Sequence, residues 1–186
     1  MLMPSFSLTL LQGKYSLVLL MTINTLLVMI LICAASTGAA APRIAVLDFE
    51  LNDITSLPNT PEELRRTSTM APLLSEALNK NDQYQTSIIP KQVQKTANGG
   101  FGYLFQHLEE AAKLGQTQGV DWIIVSQHSK PSFLFSYLWV YLIKVTPPAM
   151  VIRFDIELKG SHETVTQHAI ASLANKIQAS IVAKAR

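Results

Sequence analysis

The sequence predicts an α/β fold that leans towards α+β: a mixed sheet of about five strands, a C-terminal antiparallel hairpin, and helices packed mainly on one face. Three observations carry this. Short apolar runs alternate with amphipathic helical stretches over much of the chain. Two stretches of strand character, 133–145 and 151–160, flank Pro147-Pro148, and so short a link admits only a hairpin. A final stretch repeats apolar residues at fourfold spacing, as a helix lying on a core does.

The chain has 186 residues and a formal charge of +2. Its first 41 residues stand apart. MLMPSFSLTLLQGK carries one positive charge, Lys14; YSLVLLMTINTLLVMILICAA carries none; STGAAAP supplies small residues. This is the order of a secretory signal, so residues 1–41 are read as a signal peptide. Cleavage after Ala39 or Ala40 is favoured over Ala41, because Pro42 directly after a cut is disfavoured. The apolar run approaches a membrane span in length, and an uncleaved inner-membrane anchor at residues 15–35 is the alternative. Cys33 is the only cysteine, and Ile32 before it does not fit a lipoprotein signal. Residues 42–186 therefore hold no thiol, which removes disulfides, cysteine nucleophiles and thiolate metal sites together. They form a single expected globular domain; roughly 145 residues bury roughly 70% of their unfolded surface. Charge is not gathered into a basic stripe, so nucleic acid is not an expected partner.

RIAVLDFE (43–50) reads as a buried strand, and ELNDITSLPNT as an exposed loop rich in turn residues. Thr60, Pro61 and Glu63 form a helix start: a cap, a proline at the first position, and a glutamate able to reach back. Leu64, Ala71, Leu74 and Leu78 give that helix its core stripe, and Pro72 is expected to kink or split it. YQTSII (84–89) suits a second strand and KQVQKTA a short helix. NGGFGY breaks regular structure, and LFQHLEEAAKLGQTQG reads as a helix ended by Gly115 or Gly119. DWIIVS (121–126) is apolar on both faces, as a central strand is. VIRFDIELKG alternates strictly, with Ile152, Phe154, Ile156 and Leu158 opposite Arg153, Asp155, Glu157 and Lys159. Ser161 caps a last helix whose stripe is Val165, Ala169, Leu173, Ile177 and Ile181.

RIAVLDFELND, LLSEAL, AAKLGQTQGVDWIIV and YLIKV…VIRFDIELKGSHET resemble a family of secreted proteobacterial domains of unknown function. That family is similar in architecture to the amino-terminal α/β domain of the periplasmic protein TolB. The resemblance spans nearly all of 43–183 and rests on strand openings and helix-to-strand turns, so it implies a fold and carries over no catalytic residue. The chain departs from it at the Pro-Pro turn, where a Thr-Gly type turn is expected, and at Val165, where a tryptophan is expected.

Candidate chemistry is sparse. Asp48, Glu50 and Asp53 gather at the end of the first strand, where open α/β sheets collect ligands. Carboxylate oxygens suit hard cations, which makes these three weak candidates for a divalent metal, against the plainer reading of a solvated strand end. NGGFGY lacks the placement and the lysine of a phosphate loop. His107 and Glu110 lie three apart on a helix and are a possible exposed pair, and His162 and His168 fall on nearly opposite helix sides; neither set has zinc spacing. Ser126 and His128 share a strand face but have no acid to orient the histidine, and no nucleophile elbow occurs. No catalytic residue and no cofactor is expected.

The expected function is a periplasmic or otherwise exported, non-catalytic binding domain whose partner is an envelope protein or a second copy. A membrane is expected to be met only through an uncleaved leader. A small enzyme or metal-binding protein using the acidic strand end is the alternative. FLFSYLWVYLIKV (133–145) supplies the contact surface: Phe135, Tyr137, Trp139 and Tyr141, with Phe133, share one strand face. The opposite face carries Leu134, Leu138, Val140 and Leu142, so the hairpin register decides which row is covered. The favoured register sets Leu142 against Ile152 or Phe154 and leaves Trp139 among the charges, because Tyr and Trp suit a half-wet face.

Overall fold

The computed structural model describes residues 41–80, 83–160 and 163–185. The leader, His162 and the Ser161 cap lie outside them. Residues 41–186 form one compact unit. The strands are β1 (Arg43–Val46), β2 (Glu50–Asp53), β3 (Gln85–Ile88), β4 (Trp122–Lys130), β5 (Phe135–Lys144) and β6 (Ala149–Lys159). The helices are α1 (Pro61–Asn79), α2 (Lys91–Ala97), α3 (Tyr103–Gln106), α4 (Leu108–Thr117) and α5 (Glu163–Ala185). The sheet is mixed, in the order β3-β1-β4-β5-β6, with β2 also on β4. β1 pairs in parallel with β3 and β4, while β4-β5 and β5-β6 are antiparallel. The expected hairpin, central strand and early parallel pairs are all present.

The first strand is interrupted. Val46 lies opposite Ile124 and Glu50 opposite Gln127, so residues 47–49 face two residues of β4. This bulge reverses the alternation: Ile44 and Val46 point to one face before it, and Phe49 points to that face after it. ELND is therefore a strand and not the start of a loop, held by its pairing to β4.

Two helical layers sandwich the sheet unequally. The long helices α1 and α5 lie side by side on one face. Met70, Ala71, Leu74 and Leu78 of α1, and Ile170, Leu173, Ile177 and Ile181 of α5, close over Ile44, Trp122, Ile124, Leu138, Val140, Leu142 and Phe154. Glu63 and Thr67 extend the buried stripe of α1, and Leu64 is exposed, contrary to the expected stripe. Spacing explains it, since 63, 67, 70, 74 and 78 follow the helical period and 64 falls beside it. Thr60 caps Glu63 N–H as expected, but the Glu63 carboxylate turns inward to Lys130. Pro72 does not split α1; both it and Ser68, whose carbonyl it leaves without a helical donor, are exposed to water.

The short helices α2, α3 and α4 cover the other face only over β1, β4 and the near end of β5, where Leu104, Ala111, Ala112 and Leu114 pack on Ala45, Ile123, Val125 and Ile143. The expected single helix over 104–119 is two, broken at His107. Gly119 ends α4 with φ +65°, whereas Gly115 lies inside it against Val145.

Candidate functional site

Beyond β4, the face that α2–α4 partly cover is open. β5 sends Ser136, Leu138, Val140 and Leu142 into the long-helix core and Tyr137, Trp139 and Tyr141 to the open side. β6 matches it, with Phe154, Ile156 and Leu158 inward and Arg153, Asp155 and Glu157 outward. Register makes this match. Tyr137, Trp139, Tyr141 and Leu142 stand opposite Glu157, Asp155, Arg153 and Ile152. Near the turn the pairing is one residue different, with Ile143 opposite Met150. The shift between Leu142 and Ile143 is a bulge on β6, and it restores the register in which the aromatics face out.

On that surface the Arg153 guanidinium lies 5.3 Å from the Trp139 ring and 5.8 Å from Tyr141. Asp155 accepts from Nε and Nη2 of Arg153 at 3.1 and 2.9 Å, which fixes the fork over the rings. Tyr141 stacks at 4.5 Å on Phe105 of α3, where the helical cover ends. Phe135 meets Tyr137 edge to face at 5.9 Å. The structure thus brings Phe135, Tyr137, Trp139 and Tyr141 together. Phe133 leaves the row: it precedes β5, and its ring lies 5.6 Å from the Lys130 ammonium.

The acidic trio goes to separate partners. Asp48 faces Lys91 at 3.7 Å, and its backbone exchanges hydrogen bonds with the Gln94 amide. Glu50 accepts from the Asn98 side chain and from Gly102 N–H, where φ +73° favours glycine. These two flank a cleft of about 500 Å³ shared with α2 and the glycine loop. Asp53 pairs with Lys130 in register, on the other face, and accepts from Thr55 N–H, Thr55 O–H and Asn59 N–H. Burial opposes its charge, but those hydrogen bonds and the Lys130 cation hold it below the ordinary carboxylate range. Among the described residues no three His, Cys, Asp or Glu converge on one metal position.

The polar cluster that sequence reading missed lies under α1. β4 runs on through Ser126, Gln127, His128, Ser129 and Lys130, all buried. Lys130 Nζ reaches Glu63 at 3.0 Å, and Arg66 stands 3.6 Å from the other Glu63 oxygen. Arg66 also donates to Thr166 and to the Gly160 carbonyl, tying α1 to α5 and β6. Thr67 Oγ1 gives its proton to the Glu63 carbonyl at 2.7 Å, so it must accept from His128 Nδ1–H, also 2.7 Å away. His128 Nε2 then accepts from Ser136 O–H at 2.9 Å. Burial, and then the nearby Arg66 charge, push the imidazole down to about 4. Ser126 shares this face but reaches neither the histidine nor any other described hydrogen-bond partner. His107 pairs with Glu109 at 3.5 Å and not with Glu110, because it caps α4 from outside the helix and helical spacing does not apply to it. Among the described residues no helix is long and apolar enough to cross a membrane.

The family described as "Protein of unknown function (DUF2380)" matches residues 42–177. The chain belongs to that family. Comparison with curated proteins gives no match. The PelC dodecamer of Paraburkholderia phytofirmans is similar in structure, with TM-score 0.50 and 14% identity over 75% of this chain and 89% of that one. The LpoB C-terminal domain of Salmonella enterica has TM-score 0.44 and 16% identity, covering 66% of this chain and 87% of its own. Lipoprotein GNA1162 of Neisseria meningitidis has TM-score 0.45 and 16% identity over 74% and 96%. At 14% identity the likeness to PelC is one of fold alone.

Proposed function

We propose that this DUF2380 protein is an exported, non-catalytic binding domain of the cell envelope, and that it holds a protein surface against the open half of its sheet. One observation carries the reading: Tyr137, Trp139 and Tyr141 form a contiguous row, with Arg153 over Trp139 and Tyr141, that runs from the edge of the short-helix cover at Tyr141 onto the open half of the sheet face. Tyr, Trp and Arg are the residue types that dominate interface hot spots. The signal-like order of residues 1–41 supports export, with anchoring by 15–35 as the variant. The occupant is an envelope protein or a second copy; the dodecamer described for PelC supports the second form. The reading includes an architecture like the amino-terminal domain of TolB, supported by the parallel β-α-β opening, the antiparallel hairpin and the closing helix.

The test is a photo-crosslinking amino acid at Trp139, and separately at exposed Gln167 on α5, in the full chain expressed in its native envelope. A discrete adduct from position 139 alone, weakened by Arg153→Glu, is expected. No adduct from 139, or the same adduct from both positions, sinks the reading.

A further inference from the structure

Two loops leave neighbouring strand ends at one pole of the sheet. Asp53 pairs with Lys130, and Ile54 N–H donates to the Lys130 carbonyl at 3.2 Å, so loops 54–60 and 131–134 start side by side. They project Ile54 (70% exposed), Leu57 (65%), Phe133 (57%) and Leu134 (78%), with Phe135 (39%) at the start of β5. These are half of the exposed large hydrophobic side chains among the described residues, gathered at one end of the domain. We propose that this tip inserts into the surface of a lipid bilayer.

Three features favour lipid over a protein occupant. First, the base of the tip satisfies its backbone from within. Ser132 Oγ accepts from the N–H groups of Leu134 and Phe135, the Leu134 carbonyl accepts from Gly160, and the Asp53 carboxylate accepts from Thr55 and Asn59. An apolar phase offers no replacement partners, so the N–H groups of Leu57 and Phe133, which have none within the loops, set the depth of insertion at the hydrated headgroup level, where only the side chains reach the acyl boundary. Second, the side chains are aliphatic or phenyl, without the Trp, Tyr or Arg of protein hot spots. The crevice behind Phe133–Phe135 is about 10 Å³, too small to receive a partner's side chain. Third, the cations behind the tip are matched by acids: Lys130 with Glu63 at 3.0 Å, Arg65 with Glu62 at 3.2 Å, Lys159 with Glu157 at 3.6 Å. Insertion is therefore driven by apolar burial and is indifferent to anionic lipid.

The tip lies at the far end of the β1–β2 ladder from Arg43, roughly 30 Å away at the ordinary strand rise. An uncleaved anchor at 15–35 would leave only residues 36–42 before Arg43, at most about 25 Å fully extended and short of the length of the domain, so the tip reaches a bilayer as part of the cleaved chain, or a bilayer other than the leader's own. This contact adjoins the Trp139 face at Phe135, whose ring meets Tyr137, and it adds to the leader a second way of meeting a membrane.

The experiment is vesicle flotation of residues 41–186, the compact unit that contains both hydrophobic cores and the whole sheet. Vesicles of phosphatidylcholine alone, and of phosphatidylethanolamine with phosphatidylglycerol, are used at low and high salt. The wild type is expected to float with both in either salt, and the Leu57→Ser/Leu134→Ser chain to partition at least about tenfold less. Trp139→Ala is expected to float like the wild type. Leu134→Trp supplies a reading independent of the double variant's folding, its emission shifting to the blue on vesicle addition. A wild type that stays in the aqueous fraction, flotation confined to phosphatidylglycerol vesicles and abolished by salt, or a Leu134→Trp emission that vesicles leave unchanged would each overturn the proposal.

Discussion

Lys130 Nζ and Glu63 Oε1 meet at 3.0 Å in the interior, joining the carboxyl end of the central strand to the first turn of α1. The two side chains are buried, and the other Glu63 oxygen has Arg66 only at 3.6 Å and no hydrogen bond. Removing the lysine strands a buried carboxylate, which costs more than the pair itself contributes. Lys130→Met is expected to lose about 3–5 kcal/mol in urea unfolding at pH 7. Glu63→Leu/Lys130→Met is expected to recover most of that loss. A single variant within about 1 kcal/mol of wild type would mean that water reaches the pair.

His128 makes stability depend on pH. Its folded pKa is pushed from 6.5 down to about 4. Between those values the unfolded chain binds a proton that the folded chain refuses, so stability rises with pH there. The contribution is complete above 6.5 and is lost as pH falls through 4, up to about 3 kcal/mol. His128→Gln is expected to flatten the wild-type slope between pH 6.5 and 4.5 in denaturant titrations. Parallel slopes for the two chains would mean that the histidine is charged in the folded state.

Gly115 lies where α4 presses closest to the sheet. A Cβ built there stands 2.6 Å from Val145 Cγ2, and valine is stiff and buried. Gly115→Ala is expected to lose about 1–3 kcal/mol despite alanine's better helix propensity. Adding Val145→Ala is expected to cost less than the sum of the two single changes, because the second removes the clash of the first. Strict additivity in thermal melts would place the strain elsewhere.

Which parts of this fold are legible in sequence follows from where their determinants lie. The alternation of β6 and the stripe of α5 are local, so Phe154, Ile156, Leu158, Leu173 and Ile177 are readable one residue at a time. ELND lacks strand-forming residues and pairs only because β4 lies beside it, some 77 residues on in the chain. The run Ser126–Lys130 looks like an exit from the sheet, yet it is buried, because His128 finds Thr67 61 residues away and Lys130 finds Glu63. Polar partners so distant leave no local pattern. The aromatic row lies between these cases: its membership from Phe135 onward is local, but its side of the sheet rests on a single extra residue in β6.

That dependence can be measured, because the chain from Ala41 onwards carries only two tryptophans, on opposite faces. Trp122 is buried in the long-helix core, and Trp139 is half-covered on the open face beneath Arg153. Acrylamide is therefore expected to quench one component strongly and leave the other nearly intact. Trp139→Phe is expected to abolish the quenchable component, and Trp122→Phe to leave it. Arg153→Ala uncovers the ring, so it is expected to raise quenching while lowering stability by no more than about 1 kcal/mol, the scale of an exposed cation–π contact. If Trp139 proved as protected as Trp122, the aromatic row would lie beneath the helices, with Leu138 and Leu142 on the other face, and the contact surface around Trp139 would be lost.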